Sequence, residues 1–229
     1  MRVAVLDDDE KMLPYYVEEI ASAFQHFGQE AQVKSYLDAQ SCLQEKEPLD
    51  IIFMDIKLPQ DNGITVAEQL LERDPKLGVV FLSSYDSYVW ESLRVRPIHF
   101  IRKEYFKDEL EDAVRRCLSY YQSQHQQLIL NSGQQVHTFQ ISDILYLEAR
   151  GKYVVVHEQE REESVRMSFR ALEEQVRELP FVKIHRSYLV SAAAVASFQS
   201  ETVQLNNGEK LPLSKYRKEE AKKEYVQYL

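Results

Sequence analysis

Cys42 and Cys117 are the only cysteines in 229 residues, too few for a disulfide framework or a cysteine zinc site and in keeping with a reducing cytoplasm. Long apolar runs are missing as well. None approaches the roughly 18–20 residues needed to cross a bilayer, and Met1-Arg2-Val3-Ala4-Val5-Leu6 begins the chain without a signal-peptide pattern. The expectation is a cytoplasmic protein that neither inserts into a membrane nor follows a Sec-type route. A Walker loop, a Gly-x-Gly-x-x-Gly fingerprint and a Gly-x-Ser-x-Gly elbow are all absent. Nor is there an excess of positive charge: the formal net charge is −9, so composition alone gives no reason to suspect nucleic acid.

What is present suits a globular chain of two domains. Hydrophobic residues make up 44% and charged residues 28%, enough apolar side chain for a core and too much for a disordered chain. The acidity is confined to one part. Residues 1–124 carry 23 Asp and Glu against 14 Lys and Arg, whereas residues 125–229 carry 14 of each. The neutral part also holds four of the six histidines, which suggests two different tasks.

In the first part, short apolar runs alternate with amphipathic segments. The runs are Val3 to Leu6, Ile51 to Met54, Val79 to Leu82 and Ile98 to Ile101. Helical spacing joins Met12, Leu13, Tyr16, Val17, Ile20, Phe24 and Phe27, and recurs near 38–47, 64–73, 86–95 and 107–122. Unalternated runs of this length are strands buried on both faces, so the pattern predicts a doubly wound α/β domain with a five-stranded parallel sheet over residues 1–122. A polar, low-complexity stretch at 123–128 reads as a linker or as an extension of the last helix.

From 129 to 229 the period changes to short β-rich runs with turn signals, predicting a smaller, mostly β domain. The runs are Leu128 to Leu130, Ile144 to Leu147, Val154 to His157, Val165 to Met167 and Val203 to Leu205. Asn207-Gly208 is a strong hairpin signal, because both residues tolerate positive φ. Helical patterns interrupt the strands at about 169–179 and 215–227.

Ligands of a parallel sheet bind beyond the carboxyl ends of its strands. There the sequence places Asp7, Asp8 and Asp9 after the first strand, Asp55 after the third, Ser83 and Ser84 after the fourth and Lys103 after the fifth. Converging carboxylates repel one another unless a cation joins them, and an all-oxygen set suits Mg²⁺. With Mg²⁺ bound, Asp55 stays ionised and can accept a phosphoryl group as a nucleophile. Lys103 can neutralise the added charge, and the Ser83 hydroxyl can donate to a phosphoryl oxygen.

These motifs, Val-Leu-Asp-Asp at 5–8, Ile-Ile-Phe-Met-Asp-Ile-Lys-Leu-Pro at 51–59, Phe-Leu-Ser-Ser at 81–84 and Phe-Ile-Arg-Lys at 100–103, resemble a response-regulator receiver domain of the flavodoxin-like fold. The resemblance implies that Asp55 is the phosphoacceptor, that Asp8 binds Mg²⁺ directly and Asp7 through water, and that the Lys57 carbonyl is a further ligand. It makes Ser83 and Phe100 the switch pair, and a sensor histidine kinase the phosphoryl source. The surface of helix four, strand five and helix five would then serve dimerisation. Two positions depart from the family: Glu104 stands where a proline usually follows the lysine, and Phe100 replaces the commoner tyrosine. A rival reading takes Leu6-Asp7-Asp8-Asp9 as the Asp-x-Asp start of a haloacid-dehalogenase-type phosphatase with Asp7 as nucleophile. That family expects Thr or Val at the position of Lys11, and a longer core.

The second part has no catalytic triad or metal cluster, since His125, His137, His157 and His185 lack close ligand spacing. Cationic and hydrogen-bonding residues do gather at predicted strand ends: Arg150, Lys152 and Tyr153, then Lys183, His185 and Arg186, then Lys215 and Arg217. Such residues can neutralise phosphates and read base edges, although solvated loop charges fit them equally well. The stretches at 144–153, 181–190 and 207–217 resemble a LytTR-type DNA-binding domain, a mostly β family whose loops enter successive major grooves of promoter direct repeats. The resemblance implicates Arg150, Lys152, Tyr153, Arg186, Lys215, Tyr216 and Arg217, with His185 ordering its loop and Ser191 where asparagine is common. It implies a phosphorylation-dependent transcriptional regulator that binds as a dimer, with at most autophosphatase activity. A third reading has this part bind a protein rather than DNA.

Overall fold

The computed structural model describes residues 1–84, 88–133 and 135–228, and the chain forms two compact units, Met1–Gln124 and His125–Leu229. In the first unit the order is β1 (Arg2–Leu6), α1 (Leu13–His26), β2 (Gln32–Tyr36), α2 (Ala39–Leu43), β3 (Ile51–Asp55), α3 (Gly63–Arg73), β4 (Gly78–Ser83), α4 (Val89–Ser92), β5 (His99–Arg102) and α5 (Phe106–His125). The strands form one parallel sheet in the order β2-β1-β3-β4-β5. Alternate residues of each buried strand feed opposite cores, which is why the runs do not alternate in polarity. Val3, Val5, Phe53, Val80 and Leu82 pack with α1 and α5, while Ala4, Leu6, Met54, Val79 and Phe81 pack with α2 and α3.

Two helices are shorter than their hydrophobic periodicity. The pattern at 38–47 yields α2 over five residues only, because the Glu45 carboxylate accepts from the Lys46 and Glu47 amides, and Pro48 follows. The pattern at 86–95 gives the four residues of α4 and a 3-10 turn at Leu93–Val95, closed by Arg96 at a φ of 49° before Pro97. Residues 86 and 87 of that pattern lie outside the described residues. At the other end α5 runs to His125 and the next strand begins at Gln127, so the polar stretch at 123–128 is divided between a helix and a strand.

The second unit holds β6 (Gln127–Ser132), β7 (Gln135–Gln140), β8 (Ile144–Arg150), β9 (Tyr153–Glu158), β10 (Glu162–Val165), α6 (Phe169–Gln175), β11 (Phe181–His185), β12 (Tyr188–Ser191), β13 (Val195–Phe198), β14 (Thr202–Leu205), β15 (Lys210–Pro212) and α7 (Lys218–Val226). Five antiparallel strands in the order β10-β9-β8-β12-β11 form the main sheet, with the pair β6-β7 and the trio β13-β14-β15 beside it. The Asn207-Gly208 turn joins β14 to β15 with Gly208 at a φ of 89°. Two expectations need correction. The strand read at Val165 to Met167 ends at Val165; in α7, Val226 is 65% exposed. Tyr225 does pack, against Phe198. The helix read from 215 starts at Lys218, because residues 214–217 form a turn in which the Arg217 amide donates to the Ser214 carbonyl.

Candidate functional site

The parallel register delivers Asp7, Asp8 and Asp55 to one edge of the first sheet, where a ligand oxygen of each lies within 4.8 Å of the others. Asp7 is fully buried, Asp55 almost so, and Asp8 is exposed. Lys103, in the 3-10 turn Lys103–Tyr105 that precedes α5, places its Nζ 2.7 Å from Asp7 Oδ2 and 2.5 Å from Asp55 Oδ2. Glu104 in place of proline therefore leaves the lysine able to reach both carboxylates. Asp55 Oδ1 accepts from the Lys57 amide at 3.0 Å, and Asp7 Oδ1 from the Asp9 amide at 3.0 Å.

Burial, the largest influence, raises the Asp7 carboxyl above its ordinary value, and the nearby Asp55 charge adds to that; Lys103 and the Asp9 amide offset part of it. Burial alone would lower Lys103, but its hydrogen bond to Asp55 and its ion pair with Asp7 carry it above its ordinary value. The Tyr16 ring, a buried core position of α1, lies 5.9 Å from Lys103 Nζ. Despite that ion pair, Asp7 Oδ2 is a buried oxygen with no aligned hydrogen bond. An unsatisfied buried carboxylate oxygen within a tight all-oxygen cluster fits a hard divalent cation.

Gly63 holds the opposite wall. A Cβ there would lie 2.1 Å from the Asp55 carbonyl oxygen and 2.9 Å from Ile56 Cα, so only glycine lets the start of α3 close on the end of β3. The Gly63 amide donates to the Ile56 carbonyl at 2.8 Å, and the Asn62 side chain caps α3 through the Ile64 amide. In the sequence Gly63 reads as loop punctuation and Tyr16 as a core position of the first helix. Ser83 is fully buried at the end of β4, and Phe100 is half-buried against the core beneath. The β4–β5 register pairs Phe81 with Phe100 and Ser83 with Arg102.

In the second unit three loops meet at one end of the main sheet. The β8–β9 turn carries Arg150, Lys152 and Tyr153, and the Ala149 amide donates to the Ser187 carbonyl of the β11–β12 turn, which carries His185 and Arg186. The Ser214 amide donates to the Ile184 carbonyl, bringing Lys215, Tyr216 and Arg217 to the same end. Lys152, Arg186, Lys215 and Tyr216 are exposed, and among the described residues none has a hydrogen-bond or ion-pair partner. Tyr153 is also exposed. His185 Nδ1 accepts from the Ser187 amide, as a loop-ordering residue would, and Ser191 is buried.

Two of the cations are held by the protein itself. Arg150 lies on Glu148 at 2.6 Å while remaining half-exposed. Arg217 is engaged inside the domain. Its Nε donates to the Lys183 carbonyl at 3.0 Å and its Nη2 to Glu224 Oε1 at 3.1 Å, while Glu224 Oε2 accepts from the Lys183 amide. Arg217 thereby clasps α7 to β11.

Comparison with known proteins accords with this division. Residues 3–115 match the family model described as response regulator receiver domain, and residues 134–225 that described as LytTr DNA-binding domain. The chain is 21% identical to the sensory transduction protein LytT of Bacillus subtilis over 97% of its own length and 98% of the relative's. It is 25% identical to an uncharacterized response regulatory protein of Vibrio cholerae, over 84% and 85% of the two chains. A solved LytTr DNA-binding domain from Bacillus cereus is 22% identical with a TM-score of 0.37, covering 43% of this chain and 94% of that one. The two family-model matches and the full-length relatives define a transcriptional response regulator of a two-component system, rather than a haloacid-dehalogenase-type phosphatase. More narrowly, the chain belongs to the response regulators that join a receiver domain to a LytTR DNA-binding domain.

Proposed function

We propose that Asp55 takes a phosphoryl group from a sensor histidine kinase in the cytoplasm, and that this strengthens binding of the β-rich domain, as a dimer, to promoter direct repeats. The observation that carries the first step is the asymmetry between the two buried aspartates. Asp7 has a side-chain exposure of 0%, whereas Asp55 retains 10% at the sheet edge. Of the two, Asp55 is the one an incoming phosphoryl group can meet. Its Oδ1 is held by the Lys57 amide, leaving Oδ2, beside Lys103, as the attacking atom. Attack forms the O–P bond as the P–N bond to the donor histidine breaks, and the imidazole keeps the electron pair and takes up a proton.

Asp7, Asp8, Asp55 and the Lys57 carbonyl would hold Mg²⁺, which when bound supplies neutralisation of charge on the transferring oxygens. Lys103 exchanges its contact with the Asp55 carboxylate for one with the phosphoryl group, and the Ser83 hydroxyl donates to a phosphoryl oxygen. Phe100, on the same side of the sheet as Ser83, follows into the space the hydroxyl leaves. The added charge of about −1.5 to −2 shifts the population toward that arrangement. Two domains on adjacent repeats then gain avidity without new contacts. On the DNA side, Arg186, Lys152, Lys215, Tyr153 and Tyr216 are the direct contacts. Arg150 joins them by leaving Glu148, and Arg217 acts by positioning the 214–217 turn.

Incubation with acetyl phosphate and Mg²⁺, followed by intact-mass measurement, tests the acceptor. Wild type should gain one phosphoryl group, Asp55→Ala none, and chelation of Mg²⁺ should suppress the gain. Phosphorylation that persists in Asp55→Ala, or steady multi-turnover release of phosphate, would overturn the reading.

A further inference from the structure

The end of the main sheet that gathers the three loops has a fourth cationic position. Strand β10 runs antiparallel to β9 with Val165 opposite Val154, so Arg166, the first residue past β10, stands level with Tyr153 at the loop-bearing end. Arg166 is exposed, and among the described residues it has no hydrogen-bond or ion-pair partner. Glu162, an acidic residue of the same strand, already faces Arg150 at 3.8 Å and His157 at 3.5 Å, and Glu163 pairs with His137.

Position in the sheet sets what Arg166 can reach. The order is β10-β9-β8-β12-β11, and neighbouring strands lie about 4.8 Å apart. Arg166 is therefore about 10 Å from the β8 end and about 14 Å from the β12 end. A major groove is about 12 Å wide. With the β8–β9 turn in a major groove, the β10 edge, one strand further out, lies toward the phosphodiester chain that bounds that groove. A planar guanidinium suits a phosphate there.

We propose that Arg166 is a phosphate clamp of the DNA interface, binding one backbone phosphate beside the groove that the β8–β9 turn enters. The inference rests on the DNA-binding reading above and extends it to a loop which that reading leaves out. The alternative role, a solvated charge that blunts an edge strand against aggregation, makes no demand on DNA.

Fluorescence anisotropy of the full chain on its tightest genomic promoter fragment and on a scrambled fragment, over a series of salt concentrations, separates these. Arg166→Ala should weaken both fragments by the same factor, roughly five- to tenfold, and reduce the slope of log affinity against log salt by about 0.9. Arg166→Lys should keep the slope. Arg186→Ala run beside it should cost more on the selected fragment. Unchanged affinity and slope in Arg166→Ala, while wild type still binds selectively, would overturn this inference alone. So would a loss confined to the selected fragment, which would make Arg166 a base reader. Failure of wild type to select any fragment would overturn the DNA-binding reading, and this inference with it.

Discussion

Lys103 meets two carboxylates at once, and the two differ in exposure. Asp7 is sealed beneath the sheet edge and keeps one oxygen without an aligned donor, while Asp55 retains access. Asp7, Asp8, Asp55, Ser83 and Lys103 were legible in the sequence because each lies within two residues of the end of a short apolar run, and parallel strands bring such positions to one edge. Tyr16 and Gly63 were not, since a tyrosine at helical spacing reads as core and a glycine as a turn. The clasp made by Arg217 was not legible either: its proximity to Lys215 in sequence says nothing of Glu224, seven residues on, which pairs with it.

A residue-scale prediction concerns Glu148, which accepts from Tyr188 at 2.9 Å and lies 3.1 Å from His157 and 2.6 Å from Arg150. Burial pushes its carboxyl up, yet these partners together hold it below its ordinary value of 4.5. The stability it contributes is complete above that value and is lost as pH falls through the lower folded value. Glu148→Gln should therefore flatten the acid limb of Tm against pH for the second unit below about pH 5. An unaltered limb would show that the cluster is not coupled to folding.

Among the elements, the strands buried on both faces were the plainest in sequence and the edge strands the least. Gln32–Tyr36 is mostly exposed, as an edge strand of a parallel sheet can be, so β2 has no apolar run to announce it. β7 is similarly polar, with a single fully buried residue, Phe139. The short helices α2 and α4 failed in the other direction, because apolar periodicity continues past the points where Glu45 and Arg96 stop the backbone. The junction of β3 and α3 gives the sharpest prediction at this scale. Gly63→Ala would drive a methyl group into the Asp55 carbonyl and should cost about 1–3 kcal/mol of stability, with slower phosphorylation as Asp55 shifts. Urea unfolding beside intact-mass kinetics measures both, and a variant of wild-type stability would contradict the close approach.

At the scale of the whole molecule, charge and chemistry are divided between the units. All the net negative charge lies in the unit with the acidic pocket, and the neutral unit carries exposed cations at one sheet end. A neutral domain can bind a polyanion when its cations are gathered locally, which average composition conceals. The division itself was visible in the change from alternating strand and helix to hairpins, whereas the end of α5 at His125 was not, because Gln, Ser and His suit a helix end and a linker alike.

The central claim is that chemistry at Asp55 sets DNA affinity in the other unit. Its most direct test is anisotropy on a selected promoter fragment at moderate salt, with and without acetyl phosphate and Mg²⁺, for wild type and Asp55→Ala. The account predicts that the donor tightens wild type alone, while both proteins share the same basal affinity. Tightening of Asp55→Ala to the same degree, or selective binding by wild type that the donor leaves unchanged despite full phosphorylation, would contradict it.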